Sequence, residues 1–429
     1  MMERMIGLLR EKKEIADWKI VNLKKRSAEC FFVSDKLETT RETDLESYRV
    51  TVYVDKDGKR GEATVTCYDY MSDAELGTKL EEGIYSAGFA LNEYYEIPGP
   101  EGEQGKVWES ESNLKNRDFK EVMPKLVEAV FRANDYEDGY LSATEFFLTE
   151  QRERIVNSKG VDICQITYGG EVELIPSWGK QEKEVEVYHM LKFEEFQPEK
   201  ITEEVRERLL LAKARYEAGA LARKGAINVI VQDGNAKEVL SYFANELQYS
   251  LKYNKIERYE PGDDMQGTGA TGTKLNIRLL PGLAGVVGSR YFDRDGVILE
   301  PMTVVENGIA KSRHGSFRYG YYLNEKRPTG SLPVLEAEGD TDYEEMKKAP
   351  YLRCVEFSGL QVEPNSGYLG GEVRLGYYFD GEKEIPVTGF SISGNIRELG
   401  AWLRLSKEKV KQDCYSGPKY VELPNMIAE

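Results

Sequence analysis

The residue types best suited to chemistry are scarce in this chain. It holds two histidines, His189 and His314, and five cysteines, Cys30, Cys67, Cys164, Cys354 and Cys414. Two imidazoles cannot build a His-rich metal site, and they leave room for at most one Ser-His or Cys-His pair around each. No two cysteines have CxxC spacing, which argues against a zinc ribbon or a thioredoxin-type site. A nucleophilic cysteine needs a base or helix terminus to lower its pKa. Nothing in the sequence around Cys414, Gln412-Asp413-Cys414-Tyr415-Ser416-Gly417-Pro418, supplies one. His314, in Ser312-Arg313-His314-Gly315-Ser316, reads as a loop residue between strands and is the better functional candidate. His189, between Tyr188 and Met190 in a strand pattern, reads as structural.

Two stretches imitate ligand loops. Gly267 to Lys274 has a GxGxxG form, but no strong strand precedes it and β-type sequence follows. A phosphate loop needs strand, loop and helix in that order. Asn134 to Glu145 imitates a calcium loop, yet Tyr136 stands where a carboxylate or amide ligand belongs. A mobile glycine-rich loop and an Asp-Gly turn are the simpler readings.

The elements that must position any site follow from periodicity. Tyr48–Val54 and Glu62–Tyr68 flank Asp57-Gly58, a tight hairpin signal. Ser72-Asp73-Ala74-Glu75 has capping-box form before an amphipathic helix. A second helix carries Phe119, Val122, Leu126 and Val130, with Pro124 marking its start or a kink. Gly169-Gly170 predicts a hairpin between Ile163–Tyr168 and Glu171–Ile175, and residues 184–193 predict a strand. Thr202–Ala222 predicts a long helix with Val205, Leu209, Ala212 and Tyr216 on one face, closed by Arg223-Lys224-Gly225. Beyond it, Ile227–Val231 reads as a buried strand and 235–249 as a helix. Strands are then expected over 274–280, 297–305, 317–323, 372–379 and 389–393, with turns at Asn307-Gly308 and Asp380-Gly381. The expectation is an α+β protein of two domains. Residues 1–222 form an antiparallel sheet with helices, and residues 223–429 form a β-rich, barrel- or sandwich-like domain.

Composition bounds the partners. The chain has 429 residues and a net charge of −17, with Lys24-Lys25-Arg26 its one short basic run. Nucleic-acid binding needs a basic surface to displace counterions, so nucleic acid is not an expected partner. No apolar run approaches the ~20 residues of a membrane span, and charge follows the first two methionines where a signal core would be apolar. With five scattered cysteines that do not read as a disulfide framework, the expected compartment is the cytoplasm.

Several short segments together resemble the TldD/PmbA family, historically labelled modulators of DNA gyrase and grouped with metallopeptidases. Tyr291-Phe292-Asp293-Arg294-Asp295-Gly296-Val297 is similar to the family's Asp-x-(Glu/Asp)-Gly segment. Val304 to Ile309 resembles its hairpin before a tyrosine-rich run. Pro386 to Asn395 resembles its Pro-Val…Ile-x-Gly-Asn signature, and Cys414, Gly417 and Val421-Glu422-Leu423-Pro424 resemble its C-terminal end. In the first half, Asp57 to Thr66 and Asn157-Ser158-Lys159-Gly160-Val161 resemble further family elements.

The resemblance implies a site on the helix after Ile227–Val231. TldD-like members carry HExxxH there. Their two histidines and a C-terminal cysteine hold zinc, and the glutamate is the general base. PmbA-like (TldE-like) members lack the motif and partner a catalytic chain. Here the slot falls on Ser241-Tyr242-Phe243-Ala244-Asn245-Glu246, so Ser241 and Glu246 replace the ligands and Tyr242 the base. Cys414 occupies about the family cysteine's position. The expectation is a non-catalytic PmbA/TldE-like subunit without a cofactor. It would pair with a TldD-like chain, or with itself, and hold extended peptides. One alternative is a divergent metal-dependent peptidase with a site rebuilt from Glu246, Cys414 and His314, where zinc would enter. Another is a homo-oligomeric peptide-binding or regulatory protein.

Overall fold

The computed structural model describes residues 1–180, 183–348 and 350–429. Helix α1 (Met2–Glu11) buries Met5, Ile6 and Leu9 on one face. Strands β1 (Asp17–Val33) and β2 (Lys36–Lys56) form a long hairpin, and β3 (Lys59–Tyr68) pairs with β2. Asp57-Gly58 makes the β2–β3 turn as expected: Lys56 pairs with Lys59, and the two turn residues have φ of 53° and 72°. That is the mirror-image turn whose twist suits a hairpin. Helix α2 (Asp73–Ala87) starts at the capping box, with Ser72 Oγ accepting from the Glu75 N–H and the Glu75 carboxylate accepting from the Ser72 N–H. Strands β4 (Leu91–Glu93) and β5 (Val107–Glu109) interrupt a loop-rich stretch before helix α3 (Phe119–Phe131). Asp118 caps α3 through the Lys120 N–H, so the helix starts ahead of Pro124 rather than at it.

Strands β6 (Gly139–Asn157) and β7 (Asp162–Trp178) pair along almost their full length. Gly169-Gly170 therefore lies in mid-strand, where the sequence predicted a turn. The cause is a ring: a Cβ on Gly170 would come within 2.1 Å of Phe193 Cζ. Glycine here makes room for a side chain crossing the strand. The strand expected over 184–193 is two pieces, β8 (Val185–Glu186) and β9 (His189–Phe193), both on β7. Helix α4 (Pro198–Glu217) buries Val205, Leu209 and Ala212 as expected, and Ile201 with them, but it ends at Glu217 and leaves Tyr216 on the surface. The sheet order is β4-β3-β2-β1-β6-β7-β5, with β8 and β9 also on the outer side of β7. Among the described residues, the outer half of β2 (36–46) has no strand beyond it, because β3 reaches only as far as Ser47. Glu38, Arg41, Glu42 and Asp44 stud that edge, and charges of this kind discourage strand addition.

The second half begins with β10 (Gly219–Ala220) and β11 (Gly225–Gln232), then helices α5 (Gly234–Asn245) and α6 (Tyr249–Tyr253). Strands β12 (Ile277–Leu280), β13 (Met302–Glu306) and β14 (Ile309–Ala310), helix α7 (Phe317–Tyr322), strand β15 (Val334–Ala337) and helix α8 (Tyr343–Met346) follow. The chain closes with β16 (Tyr351–Val362), β17 (Tyr368–Phe379), β18 (Glu384–Thr388), β19 (Phe390–Asn395), α9 (Ile396–Leu399), β20 (Arg404–Leu405), β21 (Lys409–Gln412), β22 (Tyr415–Pro418) and β23 (Tyr420–Ala428). Strands β11, β16, β17, β19 and β23 pair in a closed ring, because β17 pairs β19 and β19 pairs β23. A second sheet, β14-β13-β12-β15-β22-β21, shares one core with the ring, and Val239, Leu240 and Phe243 of α5 sit within it. The barrel-like second half is thus present, with two corrections. The strand expected over 297–305 is confined to Met302–Glu306, and residues 317–323, expected as a strand, form α7. Aromatic residues favour strands, but Tyr319 and Tyr322 pack on Tyr253 of α6, with the Tyr253 and Tyr322 rings stacked at 4.8 Å.

If Gly170 is held small by Phe193, Gly170→Ala should destabilise the protein by about 1–3 kcal/mol through overpacking. The penalty should shrink in a Phe193→Ala background. Denaturant melts of the four-member cycle would read this, and additive penalties would refute it.

Candidate functional site

Helix α5 carries the slot where the family resemblance places HExxxH. Its three slot residues diverge. Tyr242 is buried, and its hydroxyl accepts from Arg397 Nε at 3.2 Å. Glu246 is 1% exposed and is paired with Arg258, whose Nη1 lies 3.0 Å and 3.2 Å from its two oxygens. Arg258 is itself fixed by the Asn365 carbonyl at 2.7 Å. Only Ser241 faces open space, a pocket of about 330 Å³ between α5, the start of α7 and the 331–335 segment.

His314 is not a free loop residue. It is 7% exposed, and its Nε2 donates to the Ala244 carbonyl at 2.8 Å. Its backbone N–H donates to Leu247 O, and its carbonyl accepts from the Tyr249 N–H. The residue therefore clamps the end of α5 while one side of it lines the pocket, and burial lowers its pKa from 6.5.

Cys414 occupies the β21–β22 turn with a φ of 55°. Its sulfur lies against Gly288, where a Cβ would come within 2.6 Å of Sγ. Burial pushes its thiol up, and the nearby Lys237 ammonium opposes this only in part. That is the reverse of an activated nucleophile.

Glu246, His314 and Cys414 thus point into three different environments. No group of three or more His, Cys, Asp or Glu could hold a metal ion among the described residues. A hydroxyl, a phenol bound to arginine and a carboxylate bound to arginine do not fit zinc, which takes Cys, His and carboxylate ligands free to coordinate. Lys237 instead brings an ammonium beside the Cys414 turn, donating to Asp413 O at 3.1 Å.

A larger opening of about 1050 Å³ lies between the two halves. The outer side of β9 lines it from one half, and the 281–291 loop, Asp233 and Glu356 line it from the other. His189, read from sequence as structural, lies here, 2.8 Å from Glu204. Burial lowers its pKa, and the Glu204 carboxylate opposes that shift. Burial also works against the Glu204 charge, but the His189 hydrogen bond together with the charges of His189 and Arg208 outweighs it and holds that pKa below 4.5. Arg208 is 3.6 Å from Glu356, and burial pushes the Glu356 carboxyl up despite it. Glu194 accepts from the Gly288 N–H at 3.1 Å, and burial raises it too. The signal for this cleft was present: Glu204 and Arg208 stand four apart on α4, beside its apolar stripe. What it lacked was a partner, because Glu356 is distant in sequence. A strand edge facing a cleft can take an extended chain by backbone pairing.

The Asp-x-(Glu/Asp)-Gly element has a structural role. Asp293 is buried, accepting from the N–H groups of Asp295 and Val297 through Oδ1 and of Ser331 through Oδ2. Lys19 of β1 reaches Asp295 Oδ1 and Arg294 O, both at 2.9 Å. Phe292 inserts among Val21, Ile155, Val161 and Ile163 of the first sheet, so this turn fastens the halves together.

Residues 224–429 match the sequence profile of the PmbA/TldA metallopeptidase C-terminal domain. The chain carries the C-terminal domain of the PmbA/TldD family. Solved structures share its fold from end to end. TldE from Thermococcus kodakarensis superposes with a TM-score of 0.77 at 14% identity over 99% of each chain. A protein from Thermotoga maritima, described as a candidate modulator of a DNA gyrase, gives 0.77 at 17% identity over 100% of this chain and 99% of its own. A similarly described protein from Bacteroides thetaiotaomicron gives 0.77 at 14% identity over 100% and 97%. No curated protein matches the sequence.

Two predictions follow from the slot. Arg258→Met should cost about 3 kcal/mol, because it strands a buried carboxylate. Glu246→Gln should cost less, since Arg258 can turn to water; equal losses in denaturant melts would contradict this asymmetry. His314 has its pKa lowered by folding, so the unfolded chain binds its proton first as pH falls through 6.5. The stability advantage of wild type over His314→Gln, present above that pH, should therefore shrink at pH 5.5. An advantage unchanged or larger in acid would refute the burial argument.

Proposed function

We propose that this protein is a non-catalytic, PmbA/TldE-like subunit of a cytoplasmic metallopeptidase complex, which holds extended peptides for a HExxxH-bearing partner. The observation that carries the reading is the state of the α5 slot. On a fold shared with TldE, the only carboxylate in the slot, Glu246, is consumed by a buried ion pair with Arg258. A general base must reach a metal-bound water with its charge available, and Glu246 cannot. The β9 edge along the cleft gives an extended chain a backbone to pair with. Free cysteines at all five positions suit a reducing compartment.

The test is reconstitution. The purified chain should not cleave an unfolded protein such as reduced casein. Co-expressed with a HExxxH-bearing family member, it should co-purify with that chain and raise its cleavage rate. Proteolysis by the chain alone, or no association and no effect on any such member, would sink the reading.

A further inference from the structure

The pocket over α5 has a chemistry opposite to that of a metal site. Among the described residues, Lys237 is the one charged side chain at its wall, and no carboxylate lines it. Lys237 stands near the N-terminus of α5, whose dipole adds to its positive potential, while the N-cap Asp233 and the neighbouring Glu238 line the other cleft. Its ammonium donates once, to the Asp413 carbonyl. An ammonium has three donors, so two remain.

Ser241 stands one turn further along the same face, and Asn245 one turn beyond that. Asn245 Oδ1 already accepts from Gln248 Nε2 at 2.9 Å, which leaves its amide N–H groups as the donors it has to offer. Ser331 lines the facing wall, with its backbone N–H held by Asp293. Beside these donors, Leu279, Leu332 and Leu335 form an apolar wall. A cation with neutral donors on one side and leucines on the other matches a carboxylate attached to an apolar side chain. The volume, about 330 Å³, lies at the small end for ligand pockets and suits one or two residues of a peptide.

We propose that this pocket binds the C-terminal carboxylate of a peptide whose last side chain is apolar, with Lys237 as its counter-ion. The inference rests on the reading of the protein as a peptide holder and specifies which end of the peptide is held.

Calorimetric titration of the full-length protein would test it with N-acetyl-Ala-Leu, the C-terminal amide of the same compound, and acetate. The free acid should bind about tenfold or more tighter than the amide, as expected for a charge-assisted contact. Lys237→Gln should abolish that preference and Lys237→Arg should keep it; melting curves would show both variants folded. Equal binding of acid and amide, or a preference that survives Lys237→Gln, would overturn the proposal. So would acetate binding as tightly as the acid, which would assign the pocket to small free anions. A fourth probe, a long unfolded peptide amidated at its C-terminus, separates this inference from the one beneath it. If that peptide binds while N-acetyl-Ala-Leu does not, the terminal pocket is wrong and peptide holding stands. If none of the probes binds, both fall.

Discussion

The second half of the molecule depends on ring closure. Five strands pair in a circuit through the β17–β19 and β19–β23 contacts. An open sheet would present bare backbone at two edges; a closed one hides it and fixes the tilt of every strand. Helix α5 is pinned between this ring and the second sheet by Val239, Leu240 and Phe243. Its residues therefore have fixed assignments. One side must be apolar, and Tyr242 and Glu246 fall where they can only be satisfied by Arg397 and Arg258. Ser241 and Lys237 fall on the side that remains open. The chemistry of the slot is set by helix position as much as by residue identity.

The halves are joined both by apolar contacts, with Phe292 in the first sheet and Tyr321 and Tyr322 against Tyr53, Tyr95 and Ile97, and by charged ones. Burial works against the charge of Lys19, yet the proximity of Asp295 holds its pKa above 10.5, so the ammonium stays charged inside the joint. Burial and the neighbouring Asp295 charge push the Asp293 carboxyl up, against three backbone N–H donors. Arg208 with Glu356 and Glu194 with Gly288 add a second set of ties around the cleft. Paired buried charges of this kind do little for net stability but penalise any geometry that separates them. The cleft is therefore bordered by contacts that resist opening.

Much of the local structure was legible in the sequence. Asp57-Gly58 demands positive φ at two successive positions, and Ser72 with Glu75 satisfies two orphan helix donors; both are short-range constraints that any context must respect. Gly169-Gly170 failed because glycine serves two purposes, bending a chain and yielding space, and the ring that needs the space is Phe193 on another strand. Residues 317–323 failed because tyrosines carry strand propensity, whereas their contacts to Tyr253 are tertiary. The slot on α5 was placed from its resemblance, but the arginines that occupy its side chains come from residues 258 and 397. Spacing along the chain could not reveal them. The position of His189 at a cleft was hidden for the same reason: its strand pattern is real, but the cleft's other wall is formed by the second half.

The insertion of Phe292 has a consequence for synthesis. This side chain is fully buried among Val21, Ile155, Val161 and Ile163. All four are translated long before it. That corner of the first sheet must stay wet until the ribosome has released the middle of the second half. Until then the nascent chain displays an apolar patch beside the unanswered ammonium of Lys19. Maturation of this corner of the early sheet thus waits on a late turn.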